Sequence, residues 1–274
     1  MTMPTEISAM PIAVHPERPK LRKRPLKAVH HFRELLKDKE NTEHVFRIFE
    51  ALPRKSFRDE ASSFGLSDKG RAIHAREHYL PDLLDDHERL RAMPEGSVAH
   101  AYCDFMEKEG LSAAGLVAEG EKMGNRRYGD LVEWYGWRSR DTHDLLHVLT
   151  GYGRDAIGEQ CVLAFTYGQQ PALANLFIAY AGGVNVKKTI KTKAPILSAI
   201  NEAKRFGKAS PRICEESITD LLAEPLKAVR ERFHITEPRH YHEVHRVLRE
   251  EGRDPYDLLA RNAEQGGMES AQPA

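Results

Sequence analysis

Long apolar runs are missing from this 274-residue chain. The most apolar stretch, residues 171–184, is interrupted by Asn175 and falls short of the ~18–20 residues that a membrane-spanning helix needs. Cysteine is scarce: Cys103, Cys161 and Cys214 lie far apart and form no CxxC pair. A disulfide framework and a cysteine-based zinc site are therefore not expected, and a reducing compartment fits best. Net charge is absent as well, with 41 Lys plus Arg against 41 Asp plus Glu. A dedicated nucleic-acid binder would carry a basic excess, so nucleic acid is excluded as a partner. Alternating strand patterns and internal repeats are not found. Residues 1–16 hold Glu6, Pro4, Pro11 and Pro16 and no continuous apolar segment, unlike a secretory signal. The basic cluster Lys20, Arg22, Lys23, Arg24 and Lys27 follows these prolines and does not resemble a transit peptide. It would draw the protein to an anionic leaflet. The expected location is cytoplasmic and peripheral on a bacterial-type inner membrane, or the mitochondrial inner membrane in a eukaryote.

What is present reads as helices with short breaks. Apolar residues recur at helical spacing after Pro25, after Thr42, after Pro81 and after Ser97. A long pattern covers about 127–150 and is ended by Gly151, and Asp155 is placed to cap the next helix. Pro171 opens the apolar segment and Gly182-Gly183 is expected to close it. Residues 54–70 are polar and read as a loop, and a helix over 217–233 is expected to kink at Pro225. The fold class is all-α: a single helical domain over 25–263, with a flexible tail at 1–24 and a disordered tail at 264–274.

The residues that can carry chemistry cluster at 143–159. His143 and His147 are four apart, so on a helix they share one face within reach of a single ion. Imidazole is a common zinc ligand and a carboxylate often completes the set. Asp155 as a cap puts Glu159 in the second turn of the following helix. The break at Gly151–Gly153 lets that helix fold back, so the site would be formed by two adjacent helices. Asp144 is placed either to bind directly or to orient the ligands and accept a proton. On spacing alone, a metal site and a chance pairing both remain open. A metalloprotease is disfavoured, because its motif is H-E-x-x-H and Asp144 stands at the glutamate position. His74, Glu77 and His78 match H-x-x-E-H, but charged neighbours make a solvated helix face the reading there. His240, His242 and His245 are read as an adventitious cluster. Trp134 and Trp137 are read as core, and Arg138 and Arg140 as surface charges.

The run RDTHDLLHVLTGYGRDAIGE at 140–159 resembles the signature of the coenzyme Q (ubiquinone) biosynthesis protein 4 family, H-D-x-x-H followed after eleven residues by E. His143, Asp144, His147 and Glu159 match it with the same gap. The segment MPEGS at 93–97 and the stretch LLAEPLKAVRERFHI at 221–235 resemble further parts of that family. The resemblance covers roughly 40–235 and implies an all-helical protein in which the four signature residues bind a divalent ion, zinc first and iron not excluded. It implies a catalytic role for the same four residues in a lyase. That enzyme would remove the C1 carboxyl of a 4-hydroxy-3-methoxy-5-polyprenylbenzoate-type precursor, either simply or oxidatively with hydroxylation at C1. The alternative is a non-catalytic lipid-binding scaffold that organises the other ubiquinone enzymes. Implied partners are the prenylated substrate, the membrane surface, those enzymes and further copies of this chain. Phe165, Leu173, Leu176, Phe177 and Tyr180 follow the motif and are candidates for a groove that takes the polyprenyl tail.

Overall fold

The computed structural model describes residues 11–37 and 42–258, with the side chain of Thr42 outside the description. Among them are sixteen α-helices, no strand and two short 3-10 turns, at Ile213–Glu215 and Pro255–Asp257. The expected all-α class is the observed one. The helices are α1 (Pro25–Lys37), α2 (Thr42–Ala51), α3 (Phe57–Leu66), α4 (Asp68–Arg76), α5 (Leu80–Leu84), α6 (His87–Arg91), α7 (Val98–Glu109) and α8 (Ala113–Glu121). They continue as α9 (Leu131–Asp141), α10 (His143–Thr150), α11 (Ala156–Gln169), α12 (Leu173–Ile190), α13 (Ile196–Ala209), α14 (Ile218–Ala223), α15 (Leu226–Arg232) and α16 (Arg239–Glu250).

The centre of the molecule is α11, packed mainly on α12 and α13. Its Ile157, Cys161, Val162, Ala164 and Phe165 are fully buried, and each large one contributes roughly 1.5–3 kcal/mol by leaving water. Glycine allows the backbones to touch. A Cβ on Gly207 would stand 1.9 Å from the carbonyl oxygen of Phe165, and one on Gly168 2.4 Å from that of Lys204. The start of α7 is joined to the α14–α15 break by Val98 N–H donating to Glu224 O (2.9 Å) and Leu226 N–H to Gly96 O (3.0 Å). This pairing places the 93–97 segment beside Pro225.

Several boundaries differ from the sequence reading, each for a local reason. The expected loop at 54–70 contains α3 and the start of α4, because Ala61 and Phe64 pack on α9 and Ser67 caps α4 by accepting from Gly70 N–H (3.0 Å). The pattern at 127–150 is two helices. Thr142 Oγ1 turns back to the carbonyl of Arg138 (2.8 Å) and its ψ of 2° ends α9. Gly182 and Gly183 do not close α12, which runs on to Ile190. They lie within it because Gln160 and Ile200 would meet any Cβ there at 2.5 and 2.4 Å. Pro225 separates α14 from α15 outright instead of kinking one helix. Residues 11–24, expected to be part of a flexible tail, lie against the body. The buried Asp130 carboxylate accepts from His15 N–H (2.7 Å) and from Arg18 Nε and Nη2 (2.6 and 2.7 Å), and Arg24 N–H donates to Ala51 O (2.7 Å). The expected tails at 1–10 and 264–274 lie outside the described residues.

Glu77 and Arg138 also depart from expectation. Neither is solvated: their side chains are each 1% exposed and paired at 2.9 Å. Glu77 further accepts from Ser217 Oγ and from the N–H groups of Ile218 and Thr219, and Arg138 also donates to the carbonyls of Cys214 and Glu216. A buried charge is tolerated only when it is satisfied in this way. The pair ties α4, α9 and α14 together. His74 packs edge-on against the buried Trp134, at 4.9 Å between rings. Trp137 is half-buried under the guanidinium of Arg127.

Candidate metal centre

Three local features aim the site. Helix α10 starts at His143, directly after the Thr142 break, so His143 and His147 occupy successive turns of one face. Gly151 ends that helix at φ +77°, a left-handed conformation that favours glycine, with its N–H on the carbonyl of His147 (2.9 Å). Asp155 then caps α11, its Oδ1 accepting from Ile157 N–H (3.0 Å) and Gly158 N–H (3.2 Å), which sets Glu159 in the first turn and not the expected second. Gly158 permits a close approach, but to the loop and not to α10: a Cβ there would fall 1.9 Å from the carbonyl oxygen of Gly153.

Glu159 faces both signature histidines. Glu159 offers one carboxylate oxygen to each imidazole, Oε2 at 3.5 Å from His143 Nε2 and Oε1 at 3.6 Å from His147 Nε2. One ligand atom from each of His143, Asp144 and His147 lies within 4.8 Å of the others, a group that could hold a metal ion. Asp144 and His147 are buried, and His143 and Glu159 are partly exposed. Burial works against the charge of Glu159. His143 and His147, each facing one of its oxygens, outweigh it and hold the carboxyl well below its ordinary range. Burial likewise opposes protonation of His143, but Glu159 and then Asp144 raise its pKa above the usual value.

The arrangement suits a divalent cation. His147 Nδ1 is hydrogen-bonded to the carbonyl oxygen of Tyr152 (3.0 Å). A carbonyl only accepts, so the proton belongs on Nδ1 and the lone pair on Nε2. That Nε2 is buried and has no hydrogen-bond partner among the described residues. An unmatched buried acceptor beside two carboxylates and a second imidazole is the environment a bound cation resolves. A second group, His87, Cys103 and Glu107, also clusters. There Glu107 is already bonded to Arg91 Nη2 (2.8 Å) and His87 Nδ1 (3.1 Å).

Sequence reasoning missed the surroundings of the motif. Phe105 of α7 stacks on His147, 5.4 Å between ring centres and 17° from parallel. Arg154 Nε stands 3.8 Å from Glu159 Oε1. His245, expected to be adventitious, is buried with Nε2 3.2 Å from Asp155 Oδ2. Tyr241 donates its hydroxyl proton to that same oxygen and accepts from Gly153 N–H (3.0 Å). The tail-groove candidates divide. Leu173, Leu176, Phe177 and Tyr180 line an apolar cleft of about 710 Å³ with Pro25, Val29 and Leu52. Phe165 is fully buried in the core and lines no groove. The adjoining α1 surface exposes Leu26 (85%).

A family model described as coenzyme Q (ubiquinone) biosynthesis protein Coq4 matches residues 36–239. The mitochondrial ubiquinone biosynthesis protein COQ4 homolog of Bos taurus is 27% identical over 155 residues, which are 56% of this chain and 56% of that protein. The mitochondrial ubiquinone biosynthesis protein coq4 of Aspergillus clavatus is 24% identical over 181 residues, 64% of this chain and 59% of that one. The chain thus spans little more than half the length of these relatives. A crystal structure from Nostoc punctiforme, of a chain described as a ubiquinone biosynthesis protein, superposes with a TM-score of 0.57 at 20% identity. It covers 79% of this chain and all of that one, which establishes the shared fold. His143, Asp144, His147 and Glu159 fall inside the matched region, whereas α16 falls beyond it. On the family match over residues 36–239, this chain belongs to the coenzyme Q (ubiquinone) biosynthesis protein Coq4 family.

Proposed function

We propose that the protein removes the C1 carboxyl of a 4-hydroxybenzoate bearing a polyprenyl tail, at a divalent cation held by His143, Asp144, His147 and Glu159. The observation that carries this reading is the buried Nε2 of His147, which makes no hydrogen bond among the described residues and faces Glu159 Oε1 at 3.6 Å. Family membership supports a role in ubiquinone biosynthesis; the reaction and the metal are our reading. When bound, the cation supplies a Lewis-acid centre for an anionic oxygen of the substrate. Zinc suits the donor set of two imidazoles and two carboxylates, and the two-histidine-plus-carboxylate pattern also fits ferrous iron.

The chain's own residues do the rest. Tyr152 O fixes the tautomer of His147, and the Asp155 cap fixes the direction of Glu159. In the simple reaction, the bond from C1 to the carboxylate breaks, its electron pair stays on C1, a proton adds there and CO₂ leaves. Asp144, buried beside both histidines, is the candidate for handling that proton. In the oxidative variant the acid, water and dioxygen give the C1 phenol, CO₂ and hydrogen peroxide, dioxygen taking the two electrons. The cleft of Leu173, Leu176, Phe177 and Tyr180 would take the tail. Exposed Leu26 and Leu173, beside Lys20, Arg22, Lys23, Arg24 and Lys27, suit a face that meets an anionic bilayer. No helix among the described residues is long and apolar enough to cross a membrane. Docking to other ubiquinone enzymes and self-association belong to the same proposal.

A second reading has one observation in its favour. His143, Asp144 and His147 cluster, and with Glu159 as fourth donor they would close a tetrahedral site, as in structural zinc centres; the protein would then be a lipid-binding scaffold. The test measures metal content and CO₂ release from a 4-hydroxy-3-methoxy-5-polyprenylbenzoate, with and without oxygen, for wild type, Asp144→Asn and His143→Ala. Metal-dependent release that Asp144→Asn abolishes while retaining metal supports catalysis. A stoichiometric ion with tight prenyl-lipid binding and no release supports the scaffold. Protein with no ion sinks both.

A further inference from the structure

Helices α6 and α7 bring three different donors together outside the signature motif. Cys103 and Glu107 are four apart on α7, so they share one face of it. His87 is the first residue of α6, directly after its cap Asp86, whose Oδ1 accepts from Arg89 N–H (3.1 Å). One donor atom from each of His87, Cys103 and Glu107 lies within 4.8 Å of the other two. His87 Nδ1 stands 3.1 Å from Glu107 Oε1. Two ligands bonded at about 2.0–2.1 Å to a tetrahedral ion are about 3.3 Å apart, so this edge is already close to its bound length.

The three residues are layered. Cys103 is fully buried, whereas the side chains of His87 and Glu107 are 29% and 53% exposed. An ion entering between the imidazole and the carboxylate would meet the thiol as its inner ligand. Arg91 holds the carboxylate without using the oxygen that faces His87. Its Nη2 donates to Glu107 Oε2 (2.8 Å), and its Nη1 stands 2.7 Å from Asp104 Oδ1. That is how a supporting group orients a metal ligand. With Cys103 as thiolate and His87 neutral, the anions of Cys103, Glu107 and Asp104 outnumber the cation of Arg91 by two, which matches a divalent ion. Nitrogen, sulfur and carboxylate oxygen with a fourth position left to water make a zinc-type donor set. The thiolate selects against magnesium and calcium.

We propose that His87, Cys103 and Glu107 form a second metal site, which takes a thiolate-binding divalent cation of the zinc class and pins α6 to α7. On binding, His87 presents Nδ1 and carries its proton on Nε2, and the proton of the Cys103 thiol leaves to solvent. The site is independent of the reaction proposed above, because none of its ligands belongs to the signature motif.

The test is titration of cobalt(II) and zinc into full-length protein carrying His143→Ala, which disables the signature centre and leaves these three residues intact. His143, Asp144, His147 and Glu159 include no sulfur donor, so a near-ultraviolet thiolate-to-cobalt band reports only a cysteine. The His143→Ala protein should show that band, and zinc should raise its melting point. Wild type should show the same band in addition to the spectrum of the signature centre. Adding Cys103→Ser should abolish the band in both. Adding His87→Ala or Glu107→Gln, at side chains open to solvent, should weaken zinc by at least the about 10–100-fold that a supporting group contributes. Melting of the metal-free variants checks that each is folded. No thiolate band in either protein, or a band that survives Cys103→Ser, overturns the proposal. A band with a zinc affinity that His87→Ala and Glu107→Gln leave unchanged also overturns it, and marks an adventitious ion on one thiol.

Discussion

Replacing Tyr241 by Phe removes one oxygen from the point where α16 crosses the loop between the two ligand-bearing helices. Tyr241 is 3% exposed, and its hydroxyl accepts from Gly153 N–H at 3.0 Å while donating to Asp155 Oδ2. Without it, a part-buried N–H loses its acceptor, and Asp155 Oδ2 loses its hydrogen-bond donor and keeps only His245 Nε2 at 3.2 Å. Each unmatched buried group costs about 1–3 kcal/mol, and water offsets part of this, for a net loss of about 2 kcal/mol. For a chain of this size that lowers the melting point by roughly 4–8 °C. The same loop presents the Tyr152 carbonyl that orients His147, and the same aspartate caps the helix that carries Glu159. Groups that orient metal ligands typically contribute about 10–100-fold to affinity, so the zinc dissociation constant should rise within that range. The assays are thermal melting of metal-free protein, competition with a chromophoric chelator, and the visible spectrum of the cobalt form. A lower melting point with unchanged zinc affinity and cobalt spectrum would refute the link between α16 and the metal centre. No change in either would mean that the two hydrogen bonds do not form in solution.

Other predictions follow from separate parts of the structure. Glu77→Gln leaves the buried Arg138 uncompensated and should destabilise by about 3–5 kcal/mol in urea titrations at neutral pH; a loss below about 1 kcal/mol would sink this account of the pair. Burial opposes the charge of Glu77, but its hydrogen bonds and Arg138 hold its pKa below the ordinary 4.5. Its stabilisation is therefore full above 4.5 and disappears as pH falls through the folded value, so wild type and variant should converge in acid. Because the metal-free site raises the pKa of His143, protons compete with the cation there. Zinc affinity should fall by about tenfold per pH unit below that value, and a flat profile down to pH 5 would exclude His143 as a ligand. Leu26→Glu should weaken sedimentation with vesicles containing anionic lipid and leave the melting point in place, and equal sedimentation would show that another face meets the membrane.

The fold class could be read from the sequence because helix periodicity and caps are local. Ser97 and Asp155 cap the helices expected after them, accepting from a backbone N–H three and two residues on. The His143–His147–Glu159 cluster was legible for the same reason: a four-residue interval, a glycine stop and a capped return fix the geometry within about twenty residues. What could not be read depends on partners distant in sequence. Gly182 and Gly183 look like a helix end until Gln160 and Ile200 are brought against them. Glu77 looks like a surface charge until Arg138, 61 residues on, reaches it. Residues 11–24 resemble a leash until Asp130 supplies a buried carboxylate for Arg18 to meet.

The histidines of α16 show the limit most clearly. Read in isolation, His240, His242 and His245 are an excess of imidazoles on a charged helix, and their position beyond the family resemblance argued for ignoring them. Their environment is set by Glu202, which accepts from His240 N–H at 2.9 Å, and by Asp155, which meets Tyr241 and His245. Asp155 was already legible as a cap, but one oxygen suffices for capping. Its second oxygen, buried and still needing a donor, is the feature that ties a segment outside the shared family region to the loop behind the metal ligands. A buried capping carboxylate with a spare oxygen is therefore a reason to search the remaining sequence for the tyrosine or histidine that satisfies it.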